Sequence, residues 1–243
     1  MLIQIFSSSQ AILPSALDSK EISKVQSLEF RIKADWTIEV TELIRAFSDN
    51  QQLKHGIIKD FPNTYTDEFS KSSNLHLKFN WAKRNNIEIP FSAGQAQENH
   101  TTYYLGDLNI EIESGWHEFM FNYTINQRIA TEGELARLSW EFDSDYQIQF
   151  ENTVIEIKLP AFVEKESIYY AARIVPAGQA TTSEPAKPGQ LGTGLISQIF
   201  DASLADPTAK DINGVRFKVT RPLTPYEKLV FTVWWPAAFM KLQ

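Results

Sequence analysis

The side chains that could do chemistry in this 243-residue chain are few and widely separated. Its four histidines show none of the i, i+2 or i, i+4 spacings that usually build a metal site; they are His55, His76, His100 and His117. The chain contains no cysteine, so it has neither disulfides nor thiolate ligands. The sequence therefore predicts no metal site and no cofactor.

Asp143 and Asp145 flank a serine in an acidic turn that resembles the opening of a calcium-binding loop. The later ligands of such a loop, its glycine and its closing glutamate do not follow. The competing interpretation is turn chemistry, in which Asp side chains accept hydrogen bonds from nearby backbone N–H groups. We favour the turn and keep both aspartates as candidate ligand-binding residues.

The segment KHGIIKDFP brings together His55, Lys59 and Asp60. Gly56 permits a backbone conformation that other residues resist, and Pro62 cannot continue a ladder, so we predict a shaped loop here and not a core strand. If this loop met the Asp143–Tyr146 turn at one end of the molecule, Lys59 and Asp60 would be polar contacts of a pocket. The alternative is a buried ion pair between them that fixes the loop.

Other residue patterns give little evidence of a catalytic site. Glu111, Glu113, Glu141 and Asp143 could supply a carboxylate pair for glycoside hydrolysis, but any acidic β-protein offers several such pairs. There is no G-x-S-x-G nucleophile elbow and no phosphate-binding loop. The sequence therefore does not predict an enzyme.

Tryptophans could stack on sugars if they lined an exposed face. Alternation instead predicts that Trp36, Trp81 and Trp140 lie on the apolar sides of their strands, in the core. Trp234 and Trp235 are adjacent and must point to opposite faces, so one of them should be exposed or meet something beyond the domain.

Composition narrows the possible partners. The net charge of −7 and the pI of about 5.2 argue against unaided binding to nucleic acid or to anionic lipid. No apolar run approaches the roughly 18 to 20 residues of a membrane-spanning helix. The first 17 residues are apolar and uncharged, which fits either a signal-peptide remnant or an ordered N-terminal strand or arm.

Two-residue periodicity runs through most of the chain. It predicts a hairpin around Ala34-Asp35, a strand over Leu108–Ile112, and two adjacent central strands that carry Trp140 and Ile155. A strand is also predicted from Ile168 to Val175, whereas the segment 194–207 fits a short helix or a strand with a turn. About a dozen strands separated by turn signals indicate an all-β fold, an antiparallel β-sandwich that could comprise two stacked sub-sandwiches.

The order of several motifs resembles the bacterial predicted membrane proteins of domain of unknown function 2207. The family's HGI-x-(R/K)-D-x-P element matches the segment from His55 to Pro62, its Tyr-x-Ile element matches Tyr123 and Ile125, and its L-x-W-N appears as Leu138-Ser139-Trp140-Glu141, with Glu for Asn. The resemblance implies a β-rich extracytoplasmic domain, periplasmic or at the cell surface, of an inner or cytoplasmic membrane protein. Its membrane segments would lie beyond this chain, and the family supplies no activity.

We therefore expect an N-terminal arm or signal remnant over 1–24, a sandwich domain over 25–236 with a flexible loop at about 176–192, and the start of a linker at 237–243. The leading hypothesis is a non-enzymatic module that mediates interaction or ligand sensing with a protein or glycan at the envelope. The alternative is a carbohydrate-binding or carbohydrate-active protein. The candidate ligand-binding residues are His55, Lys59, Asp60, Asp143 and Asp145.

Overall fold

The computed structural model describes residues 23–50, 53–66, 72–96, 100–126, 128–143, 150–160, 163, 167–176, 200–204, 213–219, 221–224 and 227–240. Most of these residues lie in β-strands, with a short 3₁₀ turn at Ala237–Phe239. No helix within the described ranges has the length and apolar character needed to cross a membrane. The expectation of an all-β sandwich is confirmed.

The largest element is an eight-stranded sheet. In spatial order its strands are β15 (Phe200–Leu204), β16 (Gly214–Val219), β13 (Thr153–Lys158), β1 (Ser23–Ile32), β2 (Ile38–Ser48), β10 (Gly115–Asn126), β6 (His76–Arg84) and β7 (Ile87–Glu88). The β1–β13 ladder is parallel and the other ladders of this sheet are antiparallel.

Three smaller sheets complete the described fold. The four-stranded sheet comprises β11 (Ile129–Glu132), β12 (Leu135–Asp143), β17 (Lys228–Pro236) and β14 (Tyr169–Val175). The three-stranded sheet comprises β3 (Ile57–Pro62), β9 (His100–Leu105) and β8 (Phe91–Ala96). The two short strands β4 (Thr64–Thr66) and β5 (Ser72–Asn74) pair with each other.

Aromatic contacts show how the layers pack. Phe30 of β1 meets Trp140 of β12 and Phe231 of β17 edge-on, with ring centroids 5.0 and 5.4 Å apart. Phe61 of β3 meets Tyr123 of β10 edge-on at 5.0 Å. Phe30 and Tyr123 point to the same side of the eight-stranded sheet, because both lie in register with Val40. The four-stranded and three-stranded sheets therefore cover different parts of one face of the large sheet.

Several predictions about elements are confirmed. The β1–β2 hairpin turns at residues 33–37, and β14 occupies the predicted strand near Ile168–Val175. The ambiguous segment after residue 195 contains a strand, β15, among its described residues. Trp140 and Ile155 are buried, as alternation predicts.

Three predictions about elements are wrong. The segment over Ile57–Pro62 is strand β3 and not a loop. Pro62 is compatible with a strand because it is the last residue, and Phe61 packs inward. Leu108–Ile112 is a loop, held by turn bonds to Asp107 instead of a ladder. The strands carrying Trp140 and Ile155 lie in different sheets, because alternation cannot distinguish neighbours in one sheet from strands in facing layers.

The predictions about tryptophans fail in whole or in part. Trp36 sits in the β1–β2 turn with φ of 69°, ahead of the strand, although its half-buried side chain packs against the core as predicted. A register shift between Asn122 and Tyr123 turns Trp81 to the uncovered side of β6. Trp234 and Trp235 point to opposite faces of the four-stranded sheet, yet both are buried. Trp234 is on the outer face, and that face is shielded from solvent both there and at its cross-strand neighbour Arg137.

Candidate functional site

Lys59 reaches inward from β3 and forms an ion pair with Glu42 of β2, and both side chains are almost completely buried. Gln26 donates a hydrogen bond from Nε2 to Glu42 Oε1 over 3.1 Å. The Lys59 ammonium also lies 5.0 Å from the centroid of the Phe121 ring. Lys59 thus joins the three-stranded sheet to the eight-stranded sheet.

Asp60 does not pair with Lys59, because adjacent strand residues point to opposite faces. Its carboxylate is on the exposed side of β3 and accepts a hydrogen bond from the Thr102 hydroxyl. The ion pair that fixes this segment is therefore formed with Glu42 instead of Asp60.

His55 holds a loop in place. Its Nδ1 lies 3.2 Å from the Ile110 carbonyl oxygen, and the Ile112 N–H donates to the Lys54 carbonyl over 2.7 Å. Gly56 has φ of +135°, and a Cβ there would lie 2.1 Å from the Leu105 carbonyl oxygen. The residues of the His55–Pro62 motif thus have structural roles. His55 holds the neighbouring loop, and Gly56 allows a close approach of two backbones. Lys59 forms the ion pair between the sheets, and Pro62 ends the strand.

The acidic turn contributes less. Asp143 is the last residue of β12, where its backbone lies opposite Lys228 in the β12–β17 ladder. Asp145 lies outside the described residues, so the convergence of this turn with the His55–Pro62 segment stays a prediction.

The uncovered side of the eight-stranded sheet, here called the open face, gathers polar groups that the sequence did not single out. Asn122 of β10 lies at its middle and is only 3% exposed. Its Oδ1 accepts a hydrogen bond from Asn80 Nδ2 over 2.6 Å, and its Nδ2 donates to Thr41 Oγ1 over 3.0 Å and to Glu39 Oε1 over 3.3 Å. Asn80 Nδ2 also donates to Thr124 Oγ1 over 3.1 Å.

This Asn122 cluster comprises five polar side chains: Glu39, Thr41, Asn80, Asn122 and Thr124. It carries one ionised group at its edge. Glu39 accepts a hydrogen bond from Lys33, with Nζ 2.9 Å from Oε2, and this bond lowers the pKa of Glu39 below its ordinary value despite partial burial. Glu39 therefore stays ionised and remains an acceptor at neutral pH.

Two tryptophans share the open face. Trp81 pairs with Asn122 across the β6–β10 ladder, and the Lys83 ammonium lies 5.2 Å from its ring centroid. Trp116 lies farther along β10, with its ring edge-on to Phe47 at 5.5 Å and the Arg45 guanidinium 5.8 Å from its centroid. The open face thus places an aromatic ring directly beside the Asn122 cluster.

Sequence reasoning missed this cluster because its members come from three strands and look like ordinary outward polar residues. One signal was available, since Glu39, Thr41, Asn122 and Thr124 alternate with inward apolar residues and so had to face outward. Nothing in the sequence showed that β2, β6 and β10 are neighbours. Trp81 was missed because the register shift that turns it outward leaves no signature in the alternation.

Three solved structures illustrate the likeness of this fold to known proteins, and each is distant. A candidate protease of Parabacteroides distasonis is 13% identical, with a TM-score of 0.45 over 87% of this chain and 40% of that one. Leukotriene A4 hydrolase from Saccharomyces cerevisiae is 9% identical, with a TM-score of 0.43 over 87% of this chain and 29% of that one. An M1 zinc metallopeptidase from Deinococcus radiodurans is 9% identical, with a TM-score of 0.42 over 87% and 42%.

This chain spans less than half the length of each of those proteins. No curated protein matches the sequence. One family model matches residues 22–194, which is most of the chain. This chain belongs to the family described as predicted membrane protein (DUF2207), N-terminal domain.

Proposed function

We propose that this chain is a non-enzymatic, extracytoplasmic binding module of a membrane-anchored bacterial envelope protein, and that it binds through the open face. Family membership supports the membrane setting. The observation that carries the binding role is the Asn122 cluster beside Trp81. It is a set of hydrogen-bonding groups held by strands and turned toward solvent, at the centre of a broad sheet.

The rigidity of the cluster is what suits it to recognition. Groups on strands keep their geometry better than groups on loops, so less ordering entropy is lost on binding. Asn122 uses its amide oxygen and nitrogen inside the cluster, so its role is to position Asn80, Thr41 and Glu39. The exposed Asn80 and the half-buried Thr124 and Glu39 would contact the partner.

Sidedness can be tested on the full-length protein in its native membrane. An epitope inserted in the Gly133-Glu134 turn between β11 and β12, which is exposed, should be cleaved by protease added to intact spheroplasts. A cytoplasmic control protein should survive until lysis. Protection of the epitope until lysis would place the domain on the cytoplasmic side and contradict the proposal.

A glycan is the partner class that the Trp81 site favours. Sugar rings offer C–H groups that stack on an aromatic face and hydroxyls that exchange hydrogen bonds with amides, hydroxyls and carboxylates. Trp81 supplies the aromatic face and the Asn122 cluster supplies the hydrogen-bonding groups. They lie on one surface, since Trp81 is opposite Asn122 in the β6–β10 ladder.

The glycan hypothesis can be tested by measuring the binding of the 243-residue chain to envelope polysaccharide fragments by calorimetry. Trp81→Ala and Asn80→Ala should each weaken binding at least tenfold, since each would lose one stacking or hydrogen-bonding contact. Arg216→Ala, on the same face but near the opposite edge of the sheet, is the matched control. Equal loss in all three variants, or none, would remove this candidate.

A further inference from the structure

The exposed large hydrophobic side chains of the described residues are concentrated at one end of the eight-stranded sheet. Four of the seven lie on segments that meet there and form what we call the apolar rim: Ile87 (71% exposed), Leu108 and Ile110 (57% each), and Trp116 (38%). Ile58, Phe239 and Phe91, whose ring packs against Phe79 with centroids 5.6 Å apart, are outside this group.

Backbone bonds place these segments together. The Gly106 N–H donates to the Pro90 carbonyl over 2.9 Å, which joins the loop carrying Leu108 and Ile110 to the segment from Ile87 to Phe91. The Asn85 N–H donates to the Glu118 carbonyl over 2.8 Å, which joins the β6–β7 turn to β10 two residues from Trp116.

Two polar groups of the loop over residues 107–114 make bonds that hold the loop in shape. Asp107 Oδ1 accepts from the Asn109 N–H over 2.9 Å, and Glu111 pairs with Lys54 over 2.7 Å. The hydrogen bond from Lys54 also lowers the pKa of Glu111, so this carboxylate stays ionised within its pair. Leu108 and Ile110 are left as the exposed apolar side chains of the loop.

We propose that the apolar rim contacts the lipid bilayer and inserts these side chains into its interfacial region. Aliphatic side chains on loop and turn tips, with a tryptophan beside them, suit the boundary between headgroups and acyl chains, where amphipathic rings also reside. The family is one of membrane proteins, so a bilayer is the large apolar surface near this domain.

Apolar transfer drives this contact, and charge attraction does not. Four acidic residues lie beside the rim: Asp107, Glu111, Glu113 and Glu118. They are partly balanced by Lys54, which pairs with Glu111, and by Arg45, which lies over Trp116, so no excess of positive charge draws the rim to anionic lipid. Binding to zwitterionic vesicles should therefore be at least as strong as binding to anionic ones and should vary little with salt. The rim shares Trp116 with the open face, but Leu108 and Ile110 lie in the loop over residues 107–114, so changing them leaves the Asn122 cluster and Trp81 in place.

The test is flotation of the 243-residue chain with phosphatidylcholine vesicles at about 1 mM lipid, beside vesicles containing about one third phosphatidylglycerol. Burial of two aliphatic side chains predicts at least a tenfold lower partition coefficient for Leu108→Ser/Ile110→Ser. Ile58→Ser, which removes an aliphatic side chain of similar exposure (54%) outside the rim, should float like the wild type. Circular dichroism should show that all three chains are folded.

Other outcomes overturn the inference. No flotation of the wild-type chain, or equal flotation of the rim variant, would show that the rim does not bind lipid. Flotation only with the anionic vesicles, abolished by salt, would indicate charge attraction. Concentration-dependent self-association in sedimentation that the rim variant abolishes, without flotation, would identify the rim as a protein interface.

Discussion

At the scale of single residues, the ion pair between Glu42 and Lys59 is the most demanding feature of the core. Two charges are withdrawn from water between the sheets, and their attraction, the Gln26 hydrogen bond and the Phe121 ring offset that cost. Breaking such a pair strands a charge and is far more costly than removing both charges.

Lys59→Met should therefore lower the free energy of unfolding by about 3 to 5 kcal/mol, because Glu42 would remain buried without its cation. Adding Glu42→Gln should recover most of that loss, since the new amide oxygen can still accept from Gln26. Urea denaturation of the two single variants and the double variant gives the coupling. A double variant as unstable as the sum of the single ones would show that the pair is not coupled.

The sequence contained half of this pair. Glu42 occupies an inward position between Val40 and Ile44, where alternation demands an apolar residue, and that conflict marks it as a buried acid. Its partner could not be predicted, because Lys59 approaches from another sheet and was assigned to a loop. Side-chain direction follows from period two, whereas pairing between layers depends on tertiary packing.

At the scale of elements, the backbones at Gly56 and Gly106 pass very close to each other. This close approach holds in place the loop that begins at residue 107. A Cβ at Gly56 would meet the Leu105 carbonyl oxygen at 2.1 Å, and one at Gly106 would meet the His55 carbonyl oxygen at 2.2 Å. Both positions therefore need glycine for space as well as for positive φ.

Gly56→Ala should destabilise the fold well beyond the roughly 1 to 3 kcal/mol that backbone strain alone costs. Gly115→Ala is the matched control, because Gly115 has a similar φ of +146° but nothing within 4 Å of its Cβ position. Thermal melts of both variants separate steric overlap from backbone strain. Equal melting temperatures would show that the close approach contributes nothing.

The connection from β16 to β17 is held by a carboxylate with a lowered pKa. Both Glu227 oxygens accept from Arg221, each over 2.8 Å, and the Thr224 N–H donates to the same carboxylate. The hydrogen bond from Arg221 lowers the pKa of Glu227 from its ordinary 4.5. Its contribution to stability is therefore present above pH 4.5 and lost as the pH falls through the lowered pKa.

Glu227→Gln should cost about 1 kcal/mol at neutral pH, a modest value because Arg221 is partly exposed and solvent screens the pair. The gap between variant and wild type should close as the pH falls below 4.5. The difference between the urea midpoints of the variant and the wild type, measured from pH 7 to pH 3, reports this gap. Glu111→Gln, at a fully exposed carboxylate, should show no measurable difference at any pH; a gap for Glu227→Gln that widens with acid would refute the assignment.

Alternation predicted most strands, and its failures have local causes. The register shift beside Asn80 places Trp81 on the opposite side from the predicted one, because one extra residue in a strand inverts every side chain beyond it. Leu108 and Ile110 alternate like a strand, yet they lie in a loop whose backbone bonds go to Asp107 and Lys54. Periodicity reports which side chains are apolar and does not distinguish a ladder from a loop that exposes them.

At the scale of the whole molecule, the sequence left open whether the sandwich is one unit or two. The four-stranded and three-stranded sheets cover different parts of the same eight-stranded sheet, through Phe30 and Phe61. The large sheet continues beneath both, since β1, β2 and β10 pair without interruption. Loss of either covering layer would expose a face of the shared sheet, so the two parts should unfold together.

Phe30→Ala and Phe61→Ala test this, one under each covering sheet. Each should lower the free energy of unfolding by about 3 to 5 kcal/mol, because each removes a buried ring from a packed cluster. Both should shift the same single urea transition, and tryptophan fluorescence should coincide with far-ultraviolet circular dichroism. If Phe61→Ala created a separate early transition that Phe30→Ala left in place, the three-stranded layer would be an independent unit resting on the large sheet.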